Sequence, residues 1–392
     1  MKIALKISFL AMFSLCLSAC QSTHKIQSKY IANKHAPVTV DKKFKGYKRI
    51  AIETELEIFA LNDEMKLMAK NISLLRDPQT KATKLINQFF GAENINLAYK
   101  SGANVIASQA FRNKEANCLS LTIMAYAIAK EAQLDVVFQS IEVPEYWVRN
   151  GEANMLTGHI NLSVLQNKSP NTLLFFDRQS IEIDFDPYVK KKVFPKKRIN
   201  KNTVIAMFYN NKGANALVNN NYVAAYAYLK KATEVDPGFS SAWGNLGILY
   251  RMKGLDKIAL STYRHAIYLN QANLTAMENL SKLLHSRGAS EEARLIDSHI
   301  IQKRANNPYY YALLGDENFH KGYYLQAINH YKKAIKLNNN VHEFYFGLAK
   351  VHYMLDDKIK AQQYIKKAIA KNKVPQLDNQ YLVKLNILKR VH

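Results

Sequence analysis

Cys118 and His159 are residue types that together support nucleophilic catalysis. Cys118 precedes the apolar run LSLTIMAYAIA and follows Asn117, a favoured helix N-cap, which predicts that the thiol begins a helix. The positive end of the helix dipole and the unpaired N–H groups there stabilise an anion such as a thiolate. The predicted chemistry is attack of the sulfur on an electrophilic carbon.

A thiol nucleophile needs a base and a group that orients the base, and two predicted strands supply them. In TGHINLSVL, alternation puts Ile160 on the apolar face and His159 on the polar face, so His159 is predicted not to be a core histidine. In SIEIDFDP, the same alternation puts Asp184 on a polar face. A carboxylate there could meet His159 across neighbouring strands. Asp177, in the turn DRQS, is interpreted as a turn initiator.

A structural interpretation of Cys118 stands beside the chemical one, because free cysteine is among the most buried residue types. Its position before the apolar run favours chemistry. For an oxyanion, the backbone N–H of Cys118 is the expected donor, and Gln109 is a weak side-chain candidate. The eleven histidines are scattered and glycine-rich phosphate motifs are absent, so no metal and no cofactor are predicted.

The motifs NCLSLT, GHINL and IEIDFDP, in that order, resemble the transglutaminase-like superfamily of papain-like thiol enzymes. The resemblance covers residues 95 to 190 approximately. It implies catalytic roles for Cys118, His159 and Asp184, with an acyl-thioester intermediate. Asp186 is the rival for the third place, because Asp186-Pro187 resembles an ending common in that family.

The elements that must position these residues read as an α+β domain over residues 48–198. Apolar periodicity predicts helices before the Cys118 helix, and alternating runs predict strands after it, which indicates an antiparallel sheet packed on helices. The predicted helices cover residues 53–71 and 78–90, and the predicted strands cover residues 135–143, 158–165, 171–177 and 180–185.

The second half of the chain has an internal repeat of 34 residues, which predicts an all-α solenoid of helical hairpins. The small, large and turn positions resemble the tetratricopeptide (TPR) repeat, and we assign five TPR repeats to residues 203–373. The third repeat departs most, with Ser281 in place of glycine and Asp297 at a large site. Residues 374–392 are predicted to form a C-terminal capping helix. The alanines that define the period are Ala225, Ala259, Ala293, Ala327 and Ala361.

Five side chains fall at repeat positions that line the concave groove of such a solenoid. They could bind a peptide or protein partner, although core packing explains the aromatic residues nearly as well. The five are Tyr309, Phe319, Phe346, Lys350 and Tyr353.

The N-terminus has a basic start, an apolar stretch too short to span a bilayer, and the sequence Leu17-Ser18-Ala19-Cys20. These residues resemble the lipobox of bacterial lipoproteins. The resemblance implies a signal peptide at residues 1–19 and lipidation of Cys20. Residues 20–47 are polar and basic and have no apolar periodicity, so they are interpreted as a tether from the lipid anchor to the first domain. The resemblance also implies a lipid-anchored protein of the Gram-negative cell envelope, at the outer membrane facing the periplasm, because Gln21 and not aspartate follows the cysteine. A plain secretory signal is the alternative.

The net charge of +24 would suggest nucleic acid in a cytosolic protein, but export excludes that partner. Membrane headgroups or an acidic cell-wall polymer are the alternatives, beside lysines that simply keep helix faces solvated. The sequence therefore supports two hypotheses. The first is a membrane-anchored thiol enzyme that hydrolyses or transfers amide bonds, with TPR repeats that recruit a partner. The second is an inactive interaction scaffold.

Overall fold

The structure is a computed structural model, and it describes residues 37, 39–90, 95, 97–150, 153–165, 180–185, 194–372, 379 and 381–386. The chain divides into two compact units. The first contains the described residues up to Glu142 together with His159–Ile300, and the second contains Val143–Gly158 together with the described residues from Ile301 onward.

Helices come first in the α+β region, as predicted. The single helix expected over residues 53–71 is in fact two helices, because Asn62 leaves the helical conformation and its side chain accepts a hydrogen bond from Met65 N at 2.9 Å. Asn62 thereby caps the second helix. The helices are α1 (Glu55–Ile58), α2 (Asp63–Ser73), α3 (Pro78–Phe90), α4 (Ala107–Asn113) and α5 (Cys118–Glu131).

Strands follow the helices and form a four-stranded sheet in the order β5-β4-β3-β6. The β3–β6 and β4–β5 pairs are antiparallel, so the predicted antiparallel sheet is present. Apolar residues of β4 and β5 join those of α5 in one core, which fixes the sheet against that helix. The predicted strand at residues 171–177 lies outside the described residues. The four strands are β3 (Val136–Asn150), β4 (Ala153–Leu165), β5 (Ser180–Ile183) and β6 (Lys196–Ile199), and a separate parallel pair is formed by β1 (Ala98–Tyr99) and β2 (Glu115–Ala116).

Residues 201–371 form successive helical hairpins, a TPR-like solenoid in the C-terminal part of the chain. The period of 34 residues places equivalent helices at equivalent positions, and the alanines that define the period are buried. The helices are α6 (Lys201–Val218), α7 (Tyr222–Val235), α8 (Ser240–Met252), α9 (Asp256–Leu269), α10 (Leu274–Ser286), α11 (Ser290–Arg304), α12 (Pro308–His320), α13 (Tyr324–Leu337), α14 (His342–Met354) and α15 (Lys358–Lys371).

Packing inside the hairpins explains why the third repeat departs from the TPR residue pattern. A Cβ atom on Gly247 would lie 2.5 Å from the ring of Tyr263, so the two helices of that hairpin approach closely only because the residue is glycine. In the third repeat, Ser281 takes the glycine position and its Oγ donates to Asp297 Oδ1 at 2.5 Å. The unusual serine and aspartate therefore compensate for each other, with a hydrogen bond in place of an aromatic contact.

The second unit contains a buried ion pair. Arg304 is 2% exposed, and its Nε and Nη2 donate to the two carboxylate oxygens of Glu145 at 2.7 and 3.2 Å. The guanidinium group also lies over Trp147, 4.9 Å from the ring centroid, and over Tyr310, 5.4 Å from the ring centroid. The outer part of the β3–β4 hairpin is thereby joined to the start of α12. Near the chain end, residues 381–386 are helical, with Tyr381 and Leu385 buried against α14 and α15.

The described end of the predicted tether is folded. Residues Asp41–Lys43 and Tyr47–Arg49 form short 3-10 turns, and Phe44 is 2% exposed in the core of the first repeats. Residues 1–36, including the predicted signal peptide, lie outside the described residues. In the described part of the chain, no helix combines the length and apolar character needed to cross a bilayer.

Candidate active site

Cys118 is the first residue of α5, where the sequence predicts it. Asn117 is the N-cap, and its Oδ1 accepts from Ser120 N at 2.9 Å. Ser120 Oγ in turn accepts from Val105 N at 2.9 Å, which ties the first turn of α5 to the loop before α4. Cys118 is 6% exposed, so its sulfur lies at a helix N-terminus that is fixed by hydrogen bonds and mostly shielded from water.

The imidazole of His159 lies between a carboxylate and the thiol. Its Nε2 is 2.9 Å from Asp184 Oδ2, and the side chain of Cys118 lies near enough to the ring to raise the pKa of His159. The structure therefore brings together the three residues singled out in the sequence, which come from α5, β4 and the end of β5.

Electrostatics at His159 favour the protonated ring. Burial alone would lower the pKa of His159, but the hydrogen bonds to Asp184 and Cys118 and the charges of these two groups outweigh burial and raise the pKa to about 10. The ring is then a cation at neutral pH, held between two groups that can carry negative charge. Such an imidazolium can stabilise a thiolate and later give up a proton.

Burial of His159 corrects one expectation. The residue follows the polar face of β4, but it is only 2% exposed, and Asn161 and Ser163 on the same face are buried as well. The alternating pattern predicted correctly which face of β4 carries His159, but that face is not accessible to solvent, because this part of β4 is covered on both faces. Asn161 Oδ1 and Ser163 Oγ have no hydrogen-bond partner among the described residues. Sequence reasoning missed these two buried polar groups, and no local signal distinguishes them from surface residues.

Several other candidate residues are placed elsewhere or are not described. Gln109, the weak candidate for an oxyanion donor, is exposed on α4. The rival carboxylate Asp186, the turn residue Asp177 and the lipidation residue Cys20 lie outside the described residues. Asp184 is therefore the described carboxylate that contacts His159.

The predicted groove residues lie in the second unit. Lys350 Nζ is 5.1 Å from the ring centroid of Phe319 and 5.8 Å from that of Phe346. It is also 3.1 Å from Asp316 Oδ1. Tyr353 is exposed, and Tyr309 packs edge-on against Phe344 at 5.5 Å between ring centroids. The side chains thus combine a half-exposed cation with aromatic rings.

Comparison with known proteins places the TPR module. Residues 315–356 match the TPR repeat family model. A curated relative, the type IV pilus assembly protein PilF of Pseudomonas aeruginosa, is 25% identical over 154 residues, which are 39% of this chain and 61% of the relative. The chain therefore spans about three fifths of the length of that relative.

Two solved structures are similar to parts of the chain. The structure of Pseudomonas aeruginosa PilF has 20% identity and a TM-score of 0.29, covering 49% of this chain and 94% of its own. The MamA protein has 20% identity and a TM-score of 0.26, covering 45% of this chain and 95% of its own. TM-scores below 0.5 carry no functional conclusion. From the family match, the C-terminal part of the chain carries TPR repeats, a module that binds proteins or peptides.

Proposed function

We propose that the protein is a cysteine-dependent enzyme that hydrolyses or transfers amide bonds, with TPR repeats that recruit a protein or peptide partner. The observation that carries the proposal is the position of the His159 ring, 2.9 Å from Asp184 and near enough to Cys118 for the thiol to raise the pKa of the ring. A nucleophile, a base that contacts it and a third group that orients the base are the components of thiol catalysis.

The proposed reaction has two halves. The Cys118 thiolate attacks the amide carbon, a C–S bond forms, and the carbonyl electrons move to the oxygen at the N-terminus of α5. The C–N bond then breaks as the His159 imidazolium donates its proton to the leaving amine, which leaves a thioester. Water or a second amine attacks the thioester, His159 takes the proton of the attacking group, and the thiolate departs with the C–S electrons. Asp184 holds the ring in place.

The groove side chains of the second unit are the proposed docking surface for the partner. Phe319 and Phe346 present aromatic surface beside the half-exposed ammonium group of Lys350. Aromatic rings next to a cation suit a peptide that carries apolar and acidic side chains. Phe319, Phe346 and Lys350 all lie within residues 315–356, which match the TPR repeat family model, and this supports the assignment.

The cell envelope is the proposed location, with lipid attached to Cys20. The proposal rests on the Leu17-Ser18-Ala19-Cys20 sequence after a short apolar stretch. Similarity to a type IV pilus assembly protein of Pseudomonas aeruginosa agrees with it. Replacement of Cys20 by serine should release the protein from the membrane fraction, whereas unchanged retention there would contradict lipid anchoring through Cys20.

Alkylation of Cys118 by iodoacetamide tests the enzyme proposal. We expect fast modification at pH 6, measured by mass spectrometry on the peptide that contains Cys118, because a thiolate held beside His159 reacts at a pH where an ordinary thiol does not. A His159→Ala variant should react much more slowly. Slow wild-type alkylation that rises only above pH 8 would contradict a reactive thiol.

The second candidate function is an interaction scaffold in which the Cys118 site is not used for catalysis. The match of residues 315–356 to TPR repeats favours it, because such repeats act by binding. The two functions differ in one observable. A substrate trapped from a periplasmic extract as a covalent adduct on Cys118 supports the enzyme. If no adduct forms and Cys118→Ser leaves partner binding unchanged, the scaffold is supported.

A further inference from the structure

The segment of residues 39–50 lies on the first two TPR repeats as a bound peptide would. Its backbone N–H groups bond only within the segment, for example Phe44 N to Asp41 O at 3.1 Å and Tyr47 N to Phe44 O at 3.1 Å. Among the described residues, no backbone hydrogen bond joins residues 40–50 to the helices beneath them. Side chains alone therefore hold the segment, which is how short linear peptides are recognised.

The aromatic part of this contact is a slot between α7 and α8. The ring of Phe44 stacks on Tyr226 at 4.2 Å between centroids with an interplanar angle of 8°, and it lies 6.2 Å from the ring of Tyr250. Tyr47 meets Tyr226 edge-on at 5.1 Å. Phe44 is almost completely buried there, so the slot is shaped for a phenyl ring.

The polar part is a cluster of donors around one carboxylate. Asp41 accepts from Tyr226 Oη at 2.6 Å and from Lys230 Nζ at 2.7 and 2.8 Å, and Tyr47 Oη donates to it at 2.8 Å. These hydrogen bonds lower the pKa of Asp41 to about 2. Asp41 is the only acidic residue between positions 39 and 50, where five residues are basic. The helices thus contact the one acid of a basic segment.

We propose that Tyr226, Lys230 and Tyr250 form a recognition site for a partner-protein segment that has a carboxylate followed three residues later by phenylalanine, and that Asp41 and Phe44 fill this site in cis. A partner segment with the same spacing would compete with residues 39–50 for the slot. Because the cis segment is present at a high effective concentration, the site is closed to weak ligands and opens to strong ones. This inference does not depend on Cys118, so it can fail or hold independently of the proposed enzyme.

A labelled peptide of residues 39–50 (TVDKKFKGYKRI) tests the proposal against the full-length chain. The variant Asp41→Asn/Phe44→Ala should empty the slot and bind this peptide at least about tenfold more tightly than the wild-type chain does, measured by fluorescence anisotropy. A peptide with Phe44→Ala should lose at least about tenfold in affinity, and so should one with Asp41→Asn. A peptide with Lys42→Ala is the matched control and should bind as the parent does, because Lys42 is exposed.

Folding of the emptied variant is checked by circular dichroism, and hydrogen exchange on the wild-type chain provides a measurement that needs no variant. Saturating parent peptide should speed exchange in residues 39–50 of the chain, whereas the Phe44→Ala peptide should not. Absence of peptide binding to a folded emptied variant would overturn the proposal, and so would equal binding of all peptides. Concentration-dependent dimers that are abolished by Phe44→Ala would also overturn it, because the slot would then serve exchange between two copies.

Discussion

Two histidine–carboxylate pairs with the same contact distance lie in different surroundings. His159 Nε2 is 2.9 Å from Asp184 Oδ2, and His285 Nε2 is 2.9 Å from Asp297 Oδ2. The side chain of His159 is fully buried beside the thiol of Cys118, whereas that of His285 is 42% exposed at the surface of the third repeat. The contact itself is therefore no sign of a reactive site.

The two pairs differ in burial and in the presence of a third group, the thiol of Cys118, beside His159. Water screens the exposed pair, and such pairs contribute about 0–1 kcal/mol. In the buried pair, the ring loses its hydration and depends on Asp184 and Cys118, so its protonation is coupled to both groups. The same two residue types thus serve local packing in one region and proton transfer in the proposed mechanism in the other.

The largest expected effect concerns alkylation of Cys118. His159→Gln should slow the reaction at pH 6 by at least about a hundredfold, because it removes the cation that stabilises the thiolate. His285→Gln removes a histidine with the same contact distance and should leave the rate unchanged. Mass spectrometry on the Cys118 peptide measures both variants, and equal rates in the two would erase the distinction between the pairs.

The second prediction concerns the pH dependence of stability. The pKa of His159 is about 10 in the folded protein and near 6.5 in an unfolded chain, so the folded state binds more protons between these values. The stabilisation is complete below pH 6.5 and is lost as the pH rises through about 10. Between about pH 8.5, above which the cysteine of an unfolded chain is deprotonated as well, and pH 10, the free energy of unfolding of the wild-type chain should fall by up to about 1.4 kcal/mol per pH unit relative to His159→Gln.

Urea unfolding at several pH values measures this difference. Asp184→Asn is the matched variant, because it keeps the shape of the side chain and removes the charge that holds the proton on His159. It should reduce the slope as well. A wild-type chain and a His159→Gln variant that change in parallel from pH 7 to pH 10 would contradict the raised pKa of His159.

The third prediction compares repeat packing with an open loop. Gly247→Ala should destabilise the protein by about 2 kcal/mol, because the new methyl group would overlap the buried ring of Tyr263. Gly102→Ala is the control, since no atom lies within 4 Å of the added Cβ, and its effect should stay within about 0.5 kcal/mol. Thermal unfolding followed by circular dichroism measures both variants, and equal effects would contradict the close helix approach at Gly247.

The smallest expected effect is in the third repeat, where the exposed histidine pair lies. Ser281→Ala removes the hydrogen bond to Asp297 and should cost about 1 kcal/mol of unfolding free energy. Ser298→Ala is the control, because Ser298 is exposed and bonds only to the backbone of its own helix. Chemical denaturation resolves a difference of this size. A Ser281→Ala variant as stable as the control would show that the serine and aspartate do not compensate for the missing glycine contact.

Local sequence patterns were sufficient to predict the helical repeats and the first residue of α5. A period of 34 residues with small residues at fixed positions predicts helical hairpins, because each hairpin buries the same face against its neighbours. Asn117 before an apolar run predicts the helix end that carries Cys118, because an N-cap acts within one turn. Both features depend on residues that are close together in the chain.

Other features could not be predicted from neighbouring residues. The polar and basic composition of residues 20–47 indicated only a tether, yet Phe44 is buried against helices that come much later in the chain. His159 was expected to be accessible because alternation reports which face a residue occupies and not what covers that face. Asn161 and Ser163 are buried for the same reason.

Residue types in the sequence indicate which residues could act as nucleophile, base and orienting group. Short-range periodicity predicts the helical repeats, because both features are local properties of the chain. Tertiary structure alone decided that His159 reaches both Cys118 and Asp184, and that Asp41 and Phe44 reach Tyr226. Distances between residues far apart in the chain depend on how sheets and helices pack. The raised pKa of His159, in which the contacts with Asp184 and Cys118 outweigh burial, follows from that packing.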